Sequence, residues 1–249
     1  ERTTMTAQDA AKKAAGEQAA TFITEGMRVG LGTGSTTAYA IKALGRRVRE
    51  EGLDIRGVPT SFAAERLGRQ CGIPLVTLSD VGGLDIALDG ADEIDEALRL
   101  IKGRGAAHTR EKVVAAQAAR FVVLADPSKQ VDHLGSSMPL PVEVLPMAAE
   151  PVLRRLLHLG ADPALRMGQR KDGPVITDQG FWVIDAHFEG IDEPAMLNRQ
   201  LLDTPGVLDH GLFLDLATDV LIGRPDGADV EHITAAQSTP AAGHGGRRT

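Results

Sequence analysis

Residues 84–112 read LDIALDGADEIDEALRLIKGRGAAHTREK, from Leu84 to Lys112. Leu84-Asp85-Ile86-Ala87-Leu88 is a short apolar run of strand length. It stops at Asp89-Gly90-Ala91-Asp92-Glu93-Ile94-Asp95, four acids in seven positions, which reads as one dense negative cluster. A glycine-broken loop, Lys102-Gly103-Arg104-Gly105, leads to a helix start at Thr109-Arg110-Glu111-Lys112. A strand, an acidic loop and a helix make one unit of a parallel α/β sheet, and such sheets bind ligands outside the carboxyl ends of their strands. Taken alone, Asp89-Gly90-Ala91-Asp92 also reads as a turn with a helix cap. Glu111 alone reads as a favourable charge in a helix's first turn. Lys102 sits among glycines rather than on a solvated helix face, which favours a site.

Upstream, an alanine-rich helix spans residues 10–24, with Thr6 and Asp9 set as a capping box and Gly26 as its stop. Lys12 and Lys13 lie in its first turns. A strand over 27–31 runs into Gly32-Thr33-Gly34-Ser35-Thr36-Thr37, then a helix to about Leu44 that Gly45 ends. Strand, glycine loop and helix aim backbone amides at an anion, and the hydroxyls of Thr33, Ser35 and Thr36 add donors. The loop carries no Gly-Lys-Ser/Thr, so it is not a P-loop. It also lacks the third glycine of a dinucleotide fingerprint and the acid that closes the next strand. A tight turn capped by Ser and Thr remains the alternative reading of this loop alone.

Further strands are expected over 54–58, 74–78 and 120–124, with helices over 62–70 and 109–119; Ser61 is read as the cap of the first of these helices, with a place near the site as the alternative. Arg120-Phe121-Val122-Val123-Leu124 is almost continuously apolar, as in strands buried on both faces. It ends at Ala125-Asp126-Pro127-Ser128-Lys129, which puts Lys129 at a strand's carboxyl end. After Gly135-Ser136-Ser137-Met138-Pro139 the rhythm changes to strand 142–145, helix 150–159, strands 164–170 and 181–188, helix 194–202 and strand 207–213. That β-α-β-β-α-β order is the ferredoxin-like plan. A last strand follows over 217–222. The expected fold is α/β: a parallel-sheet, Rossmann-like main domain (5–136 and 215–237) with an inserted smaller ferredoxin-like α+β domain (137–214). Residues 1–4 and 238–249 are expected to be a disordered leader and tail.

Composition narrows the function. The 249 residues are 43% hydrophobic, enough for real cores, and the net charge is −7. No basic stripe stands out and aromatics make up 3%, so a nucleic-acid partner is not expected. The single cysteine, Cys71, fits a reducing compartment. No apolar run reaches ~18 residues, so no membrane span is expected. The seven histidines are scattered without metal-ligand spacing, and no Gly-x-Ser-x-Gly elbow occurs. What remains is carboxylates plus lysine, without metal or cofactor. That set suits proton transfer beside a carbonyl: a carboxylate base in a partly dry pocket, and a cation or amides facing an enediolate.

Asp89-Gly90-Ala91-Asp92-Glu93, Lys102-Gly103-Arg104-Gly105-Ala106-Ala107 and Thr109-Arg110-Glu111-Lys112 together resemble the signature of type A ribose-5-phosphate isomerases. The likeness extends to Gly32-Thr33-Gly34-Ser35-Thr36 and to Ala125-Asp126-Pro127-Ser128-Lys129, in the family's order. It implies a cofactor-independent aldose–ketose isomerase of the pentose phosphate pathway, cytoplasmic and homodimeric, with a small sugar phosphate as partner. It implies roles for residues too. Glu111 is the carbon base, Lys102 stabilises the enediolate with amides of Gly103 to Gly105, and Asp89 moves the hydroxyl proton. Asp92 binds sugar hydroxyls or supports Lys102. Thr33, Gly34, Ser35, Thr36, Gly90, Ala91, Lys129 and Lys12 line the substrate site.

Arg104 departs from the family loop, which has glycine there. Arginine would be strained if that position needs positive φ, and tolerated if only its amide is used. His108 is a milder departure, expected to pack or face solvent. Two other functions remain open: an amino-sugar-phosphate deaminase, which would need a catalytic histidine with His108 the candidate, and the sugar-phosphate-sensing module of a regulator.

Overall fold

Thr6 opens the first helix by accepting the Asp9 amide on its side chain. Asp9 answers with a bond to the Thr6 hydroxyl, 2.8 Å, so the box closes through side chains. The computed structural model describes residues 6–227 and 229–235; the expected leader and tail, 1–4 and 238–249, lie outside them. Helix α1 (Ala7–Ala20) buries Ala11, Ala15 and Ala19, one stripe at four-residue spacing. It ends at Thr21, before the expected Gly26, whose φ of 79° serves the turn into the first strand.

In chain order follow β1 (Arg28–Leu31), α2 (Ser35–Glu51), β2 (Arg56–Pro59), α3 (Phe62–Gln70), β3 (Ile86–Gly90), β4 (Glu93–Ile94), β5 (Leu100–Ile101), α4 (His108–Ala116) and β6 (Phe121–Ala125). Then come β7 (Leu140–Val144), α5 (Ala149–His158), β8 (Asp162–Leu165), β9 (Trp182–His187), α6 (Pro194–Leu202), β10 (Val207–His210), β11 (Leu212–Phe213), β12 (Asp219–Gly223) and β13 (Val230–Thr234).

The main sheet runs β13-β12-β6-β3-β1-β2, parallel except for the edge strand β13. The chain leaves β1 toward β2 on one side and returns to β3 on the other. The strand order therefore reverses between β1 and β3, the position at which open α/β sheets bind ligands. Strands β6 and β12 are buried along their whole length, as the apolar run at 120–124 implied. The second sheet, β10-β7-β9-β8, is antiparallel, and α5 and α6 complete the expected β-α-β-β-α-β order. Val152 and Leu156 of α5, and Leu197 and Leu201 of α6, pack into its core.

Several elements differ from expectation, each for a physical reason. Gly45 does not stop α2. It is buried in the helix interior, where a Cβ would lie 2.6 Å from the Cys71 carbonyl, and Gly52, at φ 70°, ends the helix. Residues 74–78 make only one bridge, Leu75 to Gly57, rather than a strand. The run 207–213 splits at Gly211 into β10 and β11, which belong to different sheets. Any side chain at Gly211 would come within 2.1 Å of the Lys102 carbonyl oxygen. Strand β11 pairs with β5, and β5 with β4, in a three-stranded sheet that sequence periodicity did not show. Edge strand β13 was likewise unexpected.

Candidate active site

The reversal between β1 and β3 brings two loops together. After β1, the Gly32 amide bonds to the Leu88 carbonyl of β3. A Cβ on Gly32 would lie 2.3 Å from the Asp89 carboxyl carbon, so this close approach demands glycine. Asp89, at the end of β3, accepts the Thr33 amide at 3.0 Å and its neighbour's, Gly90, at 2.8 Å. Gly34, at φ 118°, occupies the N-cap of α2 and offers no side-chain bond. The first amides of α2 therefore lack an internal cap where Ser35, Thr36 and Thr37 line a cavity.

That cavity is about 500 Å³. Its walls hold every candidate named from the sequence except Asp89: Thr33 to Thr36, Gly90, Ala91, Asp92, Lys102 to Gly105 and Glu111, with Lys12 and Lys129 as further cations. Asp89 reaches it through Lys102. A larger, mostly apolar cavity of about 620 Å³ touches a different face of α4, at Thr109, Arg110 and Val113, and includes none of the candidates. The smaller polar cavity is the one lined by the buried Lys102 and Glu111.

At its centre Lys102 Nζ lies 3.2 Å from Asp89 Oδ2 and 3.1 Å from Glu111 Oε2, and donates to the Gly90 carbonyl. All three side chains are buried. Lys102 leaves β5 with its amide on the Gly211 carbonyl, and its ammonium stands 5.4 Å from the Phe213 ring centroid. Glu111 comes from the first turn of α4. Burial disfavours the Lys102 charge, yet Asp89, Glu111 and Asp92 outweigh it and hold the ammonium pKa above that of an ordinary lysine. Burial, then repulsion from Asp89, pushes the Glu111 carboxyl up to about 8 against the pull of Lys102. Asp89 is likewise raised by burial, opposed by Lys102 and the two amides. Two acids compete for one ammonium in a dry site, and the pair titrates as a unit.

Asp92 accepts the Arg104 amide at 3.0 Å. In this loop the positive φ belongs to Gly103 (111°) and Ala106 (56°), and Arg104 has none. Arginine is therefore accommodated because only its backbone is specified. The acidic cluster does not act as one. Glu93 turns away, fully buried, and accepts from the Gly135, Ser137 and Met138 amides and the Ser137 hydroxyl. Asp95 pairs with Arg99 at 2.6 Å. The Thr33 hydroxyl points to Ser61 (2.6 Å) and Thr60 (2.8 Å), and Ser61 also caps α3.

Sequence reasoning did not single out Thr37. Its buried hydroxyl has no partner and lines the cavity. The signal was present in the Ser-Thr-Thr run, but only the helix phase shows which hydroxyl is sealed inside. His108 is fully buried, packs against Gly103 and is absent from the cavity wall. Burial, with Lys112, Arg166 and Lys102 nearby, lowers its pKa to about 3, so it is a neutral packing group.

Amides at a helix start, opposite a buried acid–lysine–acid set at a sheet's switch point, place this chain among α/β enzymes that move protons on small anionic molecules. Comparison with known proteins narrows that class. The family model for ribose 5-phosphate isomerase A (phosphoriboisomerase A) matches residues 56–227. A ribose-5-phosphate isomerase A of Thermosynechococcus vestitus is 55% identical over 214 residues, 86% of this chain and 91% of that protein. The solved ribose 5-phosphate isomerase A of Methanocaldococcus jannaschii is 45% identical, with a TM-score of 0.86 over 90% of this chain and 97% of its own. A solved D-ribose-5-phosphate isomerase in complex with phospho-erythronic acid gives 46% and 0.87 over the same shares. This chain belongs to the ribose 5-phosphate isomerase A family.

Proposed function

We propose that the chain interconverts D-ribose 5-phosphate and D-ribulose 5-phosphate by proton transfer through an enediolate. The observation that carries this reading is the Lys102 ammonium held between Asp89 and Glu111, 3.2 and 3.1 Å away, at the wall of a polar cavity. The α2 amides at Ser35 to Thr37, with Lys12 and Lys129, take the phosphate, whose remote binding energy positions the reacting carbons. Glu111 removes the proton from C2 of the open-chain aldose. The C–H electrons form the C1–C2 double bond, and negative charge gathers on O1. Lys102 and the amides of Gly103 to Gly105 stabilise it. Asp89 carries the hydroxyl proton between O2 and O1, and Glu111 returns its proton to C1. A base whose pKa is raised toward neutrality is matched to that two-way task. Because Lys102 supplies the positive charge, the reaction as proposed asks for no metal or cofactor, and a chelator should leave the rate unchanged.

The same reading carries a role in the pentose phosphate pathway, a cytoplasmic location and a homodimer. It also carries the division into 5–136 with 215–237 and 137–214, which the separate core of the antiparallel sheet supports. Among the described residues no helix is long and apolar enough to cross a membrane. The test is conversion of ribose 5-phosphate in deuterated water. Ribulose 5-phosphate that picks up solvent deuterium at carbon supports the proposal. The absence of conversion by the folded protein sinks it. Phospho-erythronic acid, bound by a solved relative, should inhibit competitively.

A further inference from the structure

The loop that holds Lys102 is fixed from outside the main sheet. Arg166 follows β8 in the antiparallel sheet, and its backbone is pinned on both sides: its amide bonds to the Val183 carbonyl and its carbonyl accepts from Val175. One edge of its guanidinium forks onto Asp185 of β9, with Nε 2.8 Å from Oδ2 and Nη2 on Oδ1. The remaining nitrogen, Nη1, donates to the Gly103 carbonyl at 2.9 Å and to the Arg104 carbonyl at 3.0 Å. Both side chains are largely buried.

A trans peptide points its N–H opposite to its C=O. The peptide joining 103 to 104 therefore has its carbonyl on Arg166 and its N–H on Asp92, a residue of the cavity wall. The next peptide is gripped the same way, which turns the Gly105 N–H away from Arg166; Gly105 lines the cavity too. The loop is glycine-rich and carries two positive-φ residues, Gly103 and Ala106. Within the loop the Ala106 amide bonds to the Gly103 carbonyl at 3.0 Å, and Arg166 adds the hold on the Arg104 carbonyl.

We infer that Arg166 is a positioning residue for the isomerisation: by gripping two loop carbonyls from a salt bridge in the antiparallel sheet, it keeps the Arg104 amide on Asp92 of the cavity wall and turns the Gly105 amide toward the substrate cavity. This rests on the proposed isomerase reading and adds a function for the second sheet, which otherwise contributes no side chain to the cavity wall. Arg166 does not touch substrate. It acts through the loop, so its effect belongs in turnover more than in binding. Lysine cannot replace it, because a point charge cannot serve two carbonyls and a carboxylate fork together.

The experiment compares the parent protein with Arg166→Ala and Arg166→Lys, measuring kcat, KM and thermal midpoint. Arg166→Lys keeps a charge beside Asp185 and so guards against a simple folding failure. The expected result is a kcat lowered by about ten- to a hundredfold in both, the scale of a small misplacement of reacting groups. KM should stay within about threefold, as for an interaction made in the transition state. Sub-denaturing guanidinium chloride should partly restore kcat of Arg166→Ala, and sodium chloride at equal concentration should not. A folded Arg166→Ala with kcat within about twofold of the parent overturns the inference. So does a kcat loss that follows the loss of folded protein and is not restored by guanidinium. A parent that does not isomerise ribose 5-phosphate overturns the isomerase reading itself, and this inference with it.

Discussion

Glu111 and Lys102 make the sharpest residue-scale predictions. Glu111→Gln keeps the shape and removes the base, so turnover should fall by at least ~10² while substrate still binds. A variant with near-parent kcat would remove Glu111 from the mechanism. Lys102→Met should cost roughly 10²–10³, by analogy with other groups that stabilise an oxyanion. The pH profile follows from the same triad. Glu111 is raised by burial and by Asp89 to about 8, so its carboxylate, the proposed base, forms only as pH climbs toward that value. The acid limb of kcat/KM should lie well above the ~4.3 of an unperturbed glutamate. A limb near 4 would show that Glu111 meets solvent more freely than this packing allows. Thr37 offers a test in which two quantities move oppositely. Its hydroxyl is buried without a partner, so Thr37→Val should raise the thermal midpoint or leave it unchanged, yet raise KM by about ten- to a hundredfold if the hydroxyl binds substrate, the value of one hydrogen bond to a charged group. An unchanged KM would mean that the hydroxyl faces the cavity without using it.

At the scale of elements, close approach decides where sequence rules bend. Gly45 reads as a helix stop because glycine is a poor helix former. In α2 it sits mid-helix because Cys71 packs against it, with a Cβ to carbonyl distance of 2.6 Å. Alanine at an ordinary interior helix position gains about 1 kcal/mol over glycine. Here Gly45→Ala should instead destabilise by about 1–3 kcal/mol through overpacking, measured by urea unfolding. A stabilised variant would show that α2 and the Cys71 turn can separate freely. Gly211 is the same kind of position: it lets one predicted strand serve two sheets. Short strands β4 and β5 escaped notice for a related reason. Two-residue strands carry too little periodicity to register; β5 is a strand through its partner β11, more than a hundred residues away, and β4 through β5.

Across the whole molecule, the edge of the main sheet is tied by a charge network. Asp219 of β12 accepts from Arg120 at 2.8 and 2.7 Å, from His232 of β13 at 2.6 Å, and from Thr218. Burial alone would raise its carboxyl pKa. The hydrogen bonds from Arg120, His232 and Thr218 win and hold it well below the usual aspartate range. A carboxylate depressed in the folded state contributes stability that is full above its unfolded pKa, near ~3.9, and is lost as pH falls toward the folded value. Asp219→Asn should therefore be less stable than the parent at pH 7, and the gap should narrow as unfolding is measured at progressively lower pH below 4. A gap that stays constant with pH would mean that the ion pair with Arg120 contributes nothing and only shape is lost.

Most of the order of elements, the ferredoxin-like plan of the second sheet and the gathering of Asp89, Lys102, Glu111 and Thr33 to Thr36 at one place were legible in the sequence. Period, caps and loop chemistry are local, and a few residues suffice to state them. Which acids act together was not legible. Asp89, Asp92, Glu93 and Asp95 are neighbours in the chain, but Glu93 binds the 135–138 loop and Asp95 binds Arg99. The raised pKa of Glu111, the enclosure of Thr37 and the grip of Arg166 on the loop likewise follow from burial and long-range contact. Chain spacing cannot supply them, because a side chain's charge and direction depend on what folds against it.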